Sequence, residues 1–246
     1  MHFLRYLGQY CLLMSKVLSK PEKPRVFYRR VIQEMQLLGI NSIVIVVIIS
    51  FFIGAVIAIQ TALNLENPLI PKYYIGLGAR DTMLLEFSST VVALILAGKV
   101  GSNISSEIGS MRITEQIDVL EIMGVNSANY LILPKIIAAM LFNPILNIIS
   151  IFVGIMGGFS VSLTTNIVNP NDFIYGLHYA FNPYYVTYSM VKTVVFAFLI
   201  TSISAYHGYF VRGGALEIGV ASTKSVVNTS IAILFFNLIL TQLLLT

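Results

Sequence analysis

Apolar residues follow one another along this chain in long runs that short polar stretches separate. A helix needs about 20 consecutive, mostly apolar residues to cross the hydrocarbon core of a membrane. Five runs meet this requirement, and we expect spans at about 40–63, 83–104, 130–163, 186–210 and 226–245. The pattern therefore predicts an all-α integral membrane protein that forms a single domain over residues 1–246.

The third run decides how often the chain crosses the membrane, because residues 130–163 are many for one span and few for two. Asn143-Pro144 lies near the middle of the run, and a proline inside a helix removes a hydrogen bond and kinks the helix. A division there would leave a first half of about 13 residues, below the roughly 17 that a span needs. We therefore predict one long kinked span, with two spans as the alternative.

The residues before the first span carry an amphipathic pattern. Apolar side chains recur at helical spacing between Phe3 and Val17, and Pro21 and Pro24 separate this segment from a second, shorter amphipathic piece. We expect interfacial or elbow helices over residues 1–38, lying at the membrane surface. A disordered basic tail is the alternative.

Composition and charge agree with a membrane protein and give it an orientation. The chain is 57% hydrophobic and 11% charged, whereas about 25% charged residues is usual in soluble domains. Seven of the 15 Lys and Arg residues precede residue 40, and cytoplasmic segments carry the excess of positive charge in membrane proteins. We therefore expect the N-terminus in the cytoplasm and, after five spans, the C-terminus on the outer side.

The sequence lacks the residue patterns of the common catalytic and metal sites. A single cysteine, Cys11, excludes an intrachain disulfide and a cysteine-based metal site, and the three histidines are scattered without ligand spacing. The chain contains no GxxxxGK[ST] phosphate-binding loop, no HExxH and no GxSxG. We expect no catalytic residue, no metal and no cofactor of its own, and a membrane component that is driven from outside.

The segment Thr114–Met123, between the second and third spans, has two chemically different faces. Its apolar and acidic residues each recur at helical spacing: Ile113, Ile117, Leu120 and Met123 on one side, and Glu115, Asp118 and Glu121 on the other. Thr114 is placed to cap the start, and Gly124 is placed to end the helix in a left-handed conformation. A helix this short needs a packing partner. It is either a contact helix for another protein or a solvated loop helix.

Small residues that allow helices to approach closely occur in three of the spans. They lie at Gly54 and Ala55 in the first span, between Ala97 and Gly109 in and after the second, and at Gly154 and Gly158 in the third. Such patterns serve close packing of membrane helices. Packing within one bundle and a seam between two copies are both consistent with them.

Among the ionisable residues within or near the spans, we single out Glu86, Lys99 and Lys192. Glu86 and Lys192 have similar depth near the outer ends of the second and fourth spans and carry opposite charges. Burying either alone is costly, so we expect an ion pair or separate extension of each to the outer interface. Lys99 is nearer the inner end, where it would reach the cytoplasmic headgroups or pair with Glu107.

Three stretches carry a pattern that extends, in order and spacing, from about Gln33 to the C-terminus. They are AGKVGSNISSEIGSMRITEQIDVLEIMGVN (97–126), YLILPKIIAAML (130–141) and YFVRGGALEIGVASTKSVV (209–227). This pattern resembles the permease subunits of the Mla (maintenance of outer-membrane lipid asymmetry) ABC transporters and their chloroplast lipid-import relatives. The chain departs from the family pattern at Phe87-Ser88-Ser89, where Leu-Gly-Pro with its proline kink is usual, and at Lys99, where Arg is usual.

The resemblance implies a homodimeric permease of the bacterial inner membrane that moves phospholipids between the inner and outer membranes, with a periplasmic C-terminus. A separate cytoplasmic ATPase subunit would bind ATP and dock on Thr114–Met123 as the coupling helix. The implied docking residues are Thr114, Glu115, Gln116, Ile117, Asp118, Leu120 and Glu121. Periplasmic MCE-domain lipid-binding proteins and, in some systems, a small cytoplasmic accessory subunit would complete the assembly.

A transported phospholipid needs an apolar cavity for its acyl chains. Helical spacing along the first span offers four candidates to line it, Ile53, Ile57, Gln60 and Leu63. Two other classes of function remain open. A secondary transporter of a small solute, acting alone, would need inverted repeats or buried charges along a path, and the sequence shows neither. A non-transporting membrane scaffold is the third class.

Overall fold

The computed structural model describes residues 2–19, 24–65, 70–165 and 168–245, and throughout these ranges the ordered elements are helices. The helices are α1 His2–Val17, α2 Pro24–Glu34, α3 Asn41–Asn64, α4 Tyr73–Thr82, α5 Val92–Leu96, α6 Ser102–Ile113, α7 Gln116–Ile122, α8 Ser127–Thr164, α9 Pro170–His178, α10 Tyr184–Tyr209 and α11 Ala215–Leu245.

Three π-helical segments connect some of these helices without a break. Met35–Ile40 joins α2 to α3, Met83–Val91 joins α4 to α5, and Ala97–Gly101 joins α5 to α6. Pro21, predicted to end the first helix, lies outside the described residues.

Five continuous helical stretches in the described part of the chain are long and apolar enough to cross a membrane. They are Pro24–Asn64, Tyr73–Ile113, α8, α10 and α11, and each contains the apolar run of one predicted span. The prediction of an all-α membrane protein with five spans is therefore confirmed. The long third run is one helix of 38 residues, α8, with Pro134 and Pro144 inside it.

Several helices extend beyond the predicted spans into segments that were predicted to be loops. The second spanning stretch continues to Ile113 rather than ending near 104, and α11 begins at Ala215, within the predicted polar turn. Polar side chains in these extensions are buried against other helices, as Ser105 and Ser225 are. The helices therefore continue past their apolar runs where packing within the protein buries polar side chains.

A further helix, α9, lies in the predicted loop between the third and fourth spans. Asn169 caps it, since its side-chain oxygen accepts a hydrogen bond of 3.0 Å from the backbone N–H of Asn171. Pro170 occupies the first turn, where its missing N–H costs no hydrogen bond. Arg80 then closes the other end of α9 by donating to the carbonyl oxygens of Leu177 and Tyr179 at 2.8 and 2.9 Å.

The amphipathic N-terminal segment folds as the helix α1 and packs on the bundle. Leu13, Met14 and Val17 are buried in the main apolar core. The Tyr10 hydroxyl donates to Ser202 Oγ on α10 at 2.8 Å. The structure thus shows the predicted helix and not the alternative, a disordered tail. The apolar face of α1 contacts α8 and α10.

The closest helix crossing joins α3 to α8 through glycines. A methyl group on Gly54 would overlap the carbonyl oxygen of Gly154, and one on Gly157 would overlap that of Phe51. Ser50 Oγ also donates to Ser150 Oγ at 2.8 Å across this contact. The absence of side chains at these positions lets the two backbones touch.

The small residues of the second spanning stretch pack against α10 of the same chain. A methyl group on Gly101 would lie 2.8 Å from Ser204 Oγ, and one on Gly208 of α10 would lie 2.7 Å from the carbonyl oxygen of Ser105. Gly98, by contrast, has no neighbouring atom within 4 Å of such a group. Packing within the bundle thus accounts for Gly101 and Ser105.

Replacing Gly54 with alanine is expected to lower the free energy of unfolding by about 1–3 kcal/mol, because overpacking forces the two backbones apart. Unfolding of the detergent-purified protein by SDS measures this change. Gly219→Ala in α11 is the matched control, since a methyl group there has no neighbour within 4 Å. A Gly54→Ala variant as stable as the control would contradict the close contact of α3 and α8.

Candidate functional site

The short helix α7 lies between the second and third spanning stretches, where a contact helix was predicted. It comprises seven residues, and Gly124 ends the segment in a left-handed conformation with φ 77°. The Gly124 N–H donates to the Glu121 carbonyl and the Val125 N–H to the Leu120 carbonyl, both at 3.0 Å. These two bonds are the Schellman pattern of a helix end, and they confirm the predicted role of Gly124.

The start of α7 differs from the prediction. Thr114 belongs to the end of α6, where its hydroxyl donates to the Ser110 carbonyl at 2.8 Å. Glu115 follows with φ 59°, a left-handed conformation that side-chain-bearing residues rarely adopt. This reversal separates the two helices, so Thr114 does not cap α7, although Gln116 Nε2 donates to its hydroxyl at 3.1 Å. The predicted helix 114–123 is therefore shortened to Gln116–Ile122.

Two of the three acidic side chains of this segment bind within the protein. Asp118 Oδ1 lies 2.6 Å from Arg112 Nη1, and Glu121 Oε1 accepts hydrogen bonds of 2.9 Å from Ser127 Oγ and from the Tyr209 hydroxyl. The hydrogen bond from Ser127, followed by that from Tyr209, lowers the pKa of Glu121. These contacts attach α7 to α6, α8 and the end of α10. Asp118 and Glu121 thus make contacts within the chain from the surface, where the Asp118 side chain is 48% exposed and Glu115 and Glu121 are exposed.

The apolar side chains of this segment divide between the core and the surface. Ile117 is fully buried, and Leu120 packs partly against the same core. Val119, Ile122 and Met123 are instead 52%, 86% and 64% exposed. Met123 was expected beside Ile117, but the helix ends at Ile122 and leaves it outside. We call Val119, Ile122 and Met123 the α7 apolar surface.

The segment that follows α7 is tied to the N-terminal helix by two asparagines. Asn126 Nδ2 donates to the Lys16 carbonyl and to Ser19 Oγ, both at 3.1 Å, and Asn129 Nδ2 donates to the Val17 carbonyl at 2.7 Å. These residues carry no periodic signal, and their partners lie more than 100 positions earlier. Sequence reasoning therefore missed them.

The charges at the other end of the bundle form the expected pair. Lys192 Nζ lies 3.0 Å from Glu86 Oε1, and the lysine side chain is 0% exposed. Its ammonium also donates to the Leu85 carbonyl at 3.1 Å and to the Tyr188 hydroxyl at 3.0 Å. The pair joins the π-helical segment Met83–Val91 to α10. Of the two alternatives left open by the sequence, the structure shows the ion pair.

Residues that the sequence did not single out complete the surroundings of Glu86. Its Oε2 accepts hydrogen bonds from Asn237 Nδ2 at 3.0 Å and Thr90 Oγ1 at 3.2 Å. Thr241 Oγ1 donates to Oε1 at 3.3 Å. Asn237 and Thr241 bring α11 into the same network. The departure at Phe87-Ser88-Ser89 lies in this π-helical segment, where both serines are buried.

Lys99 and Glu107 do not pair with each other. The exposed Lys99 donates from Nζ to the Asn41 carbonyl at the start of α3. Glu107 instead binds Lys135 of α8 at 2.8 Å. Of the two alternatives for Lys99, pairing with Glu107 is wrong, because Lys135 brings an ammonium to Glu107 from another helix.

The four candidates for a lipid cavity do not share one environment. Ile57 is buried, with Ile53 packed beside it, in an apolar cluster that includes Met83 and Phe173, whereas Gln60 and Leu63 are exposed. Ile57 therefore contacts protein rather than a cavity, because α4 and α9 cover that side of α3. Within the described ranges, no group of three His, Cys, Asp or Glu side chains could hold a metal ion.

Comparison with known proteins places this geometry in a family. A family model described as "Permease MlaE" matches residues 31–243. A "Probable ABC transporter permease protein" of Rickettsia bellii is 32% identical over 237 residues, which are 96% of this chain and 91% of the relative.

Two named relatives extend the similarity to other organisms. The "Intermembrane phospholipid transport system permease protein MlaE" of Haemophilus influenzae is 30% identical over 244 residues, covering 98% of this chain and 93% of the relative. The chloroplastic protein TRIGALACTOSYLDIACYLGLYCEROL 1 of Arabidopsis thaliana is 26% identical over 231 residues, covering 94% of this chain and 66% of the relative. With the family model matching most of its length and five helices able to span a membrane, this chain belongs to the MlaE permease family.

Proposed function

We propose that this protein is the membrane subunit of an ABC transporter that moves phospholipids between the inner and outer membranes, driven by a separate ATPase subunit. The cargo is proposed from the name of the Haemophilus relative, and the ABC mechanism from that of the Rickettsia relative. The α7 apolar surface is the observation in the structure that carries the proposal, because it offers a contact for the driving subunit.

The α7 apolar surface has the properties of a docking site for a protein. It lies on a seven-residue helix between two spanning stretches, and exposed apolar patches on polar surroundings mark protein contacts. Ile117, Asp118 and Glu121 meanwhile hold the helix on α6, α8 and α10. A partner that displaces α7 therefore displaces the ends of three spans, which is the requirement for coupling to ATP hydrolysis.

We infer the orientation of the chain in the membrane, and the charges and the path of α8 support it. We place α1, α2 and α7 on the cytoplasmic side, with the basic N-terminal segment, and the C-terminus in the periplasm. The helix α8 has 38 residues and is about 57 Å long at 1.5 Å per residue. It begins beside α7 and ends before α9, so α9 and the Glu86–Lys192 pair belong to the outer side of the inner membrane.

The same proposal includes the partners that the family resemblance implies. A homodimer is supported by α11, where only 11% of the most apolar stretch is buried within the chain. A second copy would cover part of that face and enclose the lipid path between the two copies. The periplasmic MCE-domain protein would receive or deliver the lipid at the α9 end, and a small accessory subunit, where present, would bind on the cytoplasmic side.

Replacing Ile122 with aspartate is expected to weaken binding of the ATPase subunit by about 30-fold, since a charge in the centre of an apolar contact costs about 2 kcal/mol or more. Co-purification from membranes, followed by titration of the purified subunits, measures the loss.

Ile174→Asp on α9 is the matched control, because it also places a charge at an exposed isoleucine of a short helix, at the opposite end of α8. It is expected to bind the ATPase as the unaltered protein does. Equal binding by Ile122→Asp and the control would exclude α7 as the docking helix.

We infer that the Glu86–Lys192 pair holds the outer ends of three spans together beside the lipid path. Glu86→Gln is expected to lower the free energy of unfolding by about 3–5 kcal/mol, because it leaves a buried ammonium without a counter-charge. Adding Lys192→Met should recover most of this loss. Unfolding in SDS measures both, and Lys99→Met, which removes an exposed cation, is the control with a change below about 1 kcal/mol. A stable Glu86→Gln variant would contradict the inference.

A further inference from the structure

Three charged side chains from three helices meet near α7. Lys135 Nζ of α8 lies 2.7 Å from Glu34 Oε1 of α2, and 2.9 and 2.8 Å from the two carboxylate oxygens of Glu107 of α6. Lys135 is 2% exposed. We call Glu34, Glu107 and Lys135 the charge triad. None of the functions described above uses it.

The position of the triad relates it to α7. Glu107 lies on α6, the helix that ends immediately before α7, and Lys135 lies near the start of α8, the helix that begins immediately after it. Glu34 is the last residue of α2, which leads into the first span. One ammonium therefore joins both helices that flank α7 to the helix that precedes the first span.

Stability alone does not explain a triad of this composition. Removing charges from water is costly, and well-packed apolar side chains often hold helices together as well or better. Here the three ammonium protons serve two carboxylates, and the second oxygen of Glu34 is buried without a hydrogen-bond partner. Lys135 and Glu107 alone would form a balanced pair with two bonds. Glu34 adds a second carboxylate to this pair, with Arg30 one turn earlier on α2, and what it contributes is a bond from α2 to the ammonium that also binds α6.

The chain around Glu34 has space to move. A cavity of about 580 Å³ adjoins the triad, with Arg30, Gln36 and Met111 also in its walls. The next segment, Met35–Ile40, is π-helical, which breaks the regular bonding between α2 and α3. A second cavity of about 510 Å³, beside Lys99, lies on another side of the same segment. The link from α2 to the first span is thus bordered by two cavities, and α2 is held to α8 by two polar contacts, the triad and the hydrogen bond of 3.1 Å from Arg30 Nη1 to the Tyr130 carbonyl.

We propose that Lys135 is a positioning residue of the transport cycle, which makes α2 and the start of the first span follow the helices on either side of α7. The triad passes a displacement of α7 to α3 through α2. Without the bond to Glu34, α2 would keep its contact with α8 through Arg30 and Tyr130, but it would lose the ammonium that it shares with Glu107 of α6. The proposal rests on the proposed function, in which an ATPase subunit acts on α7.

Glu34→Ala tests this proposal without stranding a charge, since Lys135 and Glu107 keep their two hydrogen bonds. The complex of permease and ATPase is studied in vesicles that contain fluorescent phospholipid. The variant is expected to bind the ATPase and to hydrolyse ATP like the unaltered complex. Lipid moved per ATP hydrolysed is expected to fall about fivefold or more, the lower end of typical couplings between sites.

Gln36→Ala is the matched control, because it truncates a polar side chain in the wall of the same cavity and leaves the triad intact. It should keep the ratio of lipid to ATP. A second variant, Glu34→Gln with Glu107→Gln and Lys135→Met, removes all three charges, so that no ion is left unpaired. It is expected to lose the ratio as Glu34→Ala does, with an unchanged midpoint of unfolding in SDS.

The movement of α2 on nucleotide binding distinguishes a positioning role of the triad from a purely structural one, because a purely structural triad would not affect this movement. Spin labels at Arg29→Cys on α2 and Thr223→Cys on α11, both exposed positions, report their distance in a chain that carries Cys11→Ser. Nucleotide binding to the complex is expected to change this distance in the protein with the unaltered triad and not in Glu34→Ala.

The proposal would be overturned if Glu34→Ala moved as much lipid per ATP hydrolysed as the control and showed the same change of distance. Failure of the unaltered chain to bind an ATPase would overturn the proposed function instead.

Discussion

A lysine inside a helix bundle is stable only when other helices bring it acceptors, and this constraint determines how the helices meet. Lys192 and Lys135 are 0% and 2% exposed, and each ammonium binds a carboxylate from another helix at 3.0 Å or less. Lys192, which lies on α10, binds the π-helical segment before α5 and is connected to α11 through Glu86. Lys135, which lies on α8, binds α2 and α6. Because unpaired burial would be costly, neither group of helices can separate without replacing these bonds.

Only one of these two clusters could be predicted from the sequence, and the reason is physical. Glu86 and Lys192 interrupt long apolar runs, so each is easily noticed. Their similar depth in the second and fourth spans and their opposite charges suggest contact. Lys135 lies beside Pro134 near the start of an apolar run, where a lysine that extends to the headgroups is ordinary. Glu34 likewise lies just outside a span, where a charged residue is ordinary, and it is 101 residues away from Lys135 in sequence. No periodicity links such positions, and only the packing of α2 against α8 brings them together.

The contact helix shows a similar limit. Amphipathic spacing predicts a helix near 114–123, and Gly124 marks its end for a conformational reason that the structure confirms. Spacing does not tell which apolar side chains of the helix are buried, and Ile117 is fully buried whereas Ile122 is 86% exposed. It also does not show that Asp118 and Glu121 bind an arginine and two hydroxyl groups within the chain. The left-handed conformation of Glu115 could not be predicted from its residue type, since glycine or asparagine is usual in that conformation. The outward apolar surface follows from these two local features.

The two ends of α8 differ in how firmly they hold α3, and this difference has a mechanical consequence. Near residue 154 the glycine contact leaves no space between the two backbones. Near residue 135, about 29 Å away at 1.5 Å per residue, α8 holds the segment before α3 through side chains, namely Lys135, Tyr130 and Phe142, beside two cavities. In the proposed coupling, a force applied beside α7 would meet this end first, and the crossing at Gly54 and Gly154 would act as the fixed point. Small shifts at the α7 end would then become a tilt of α3 about its glycines, which is a change of shape that a lipid path between spans could use.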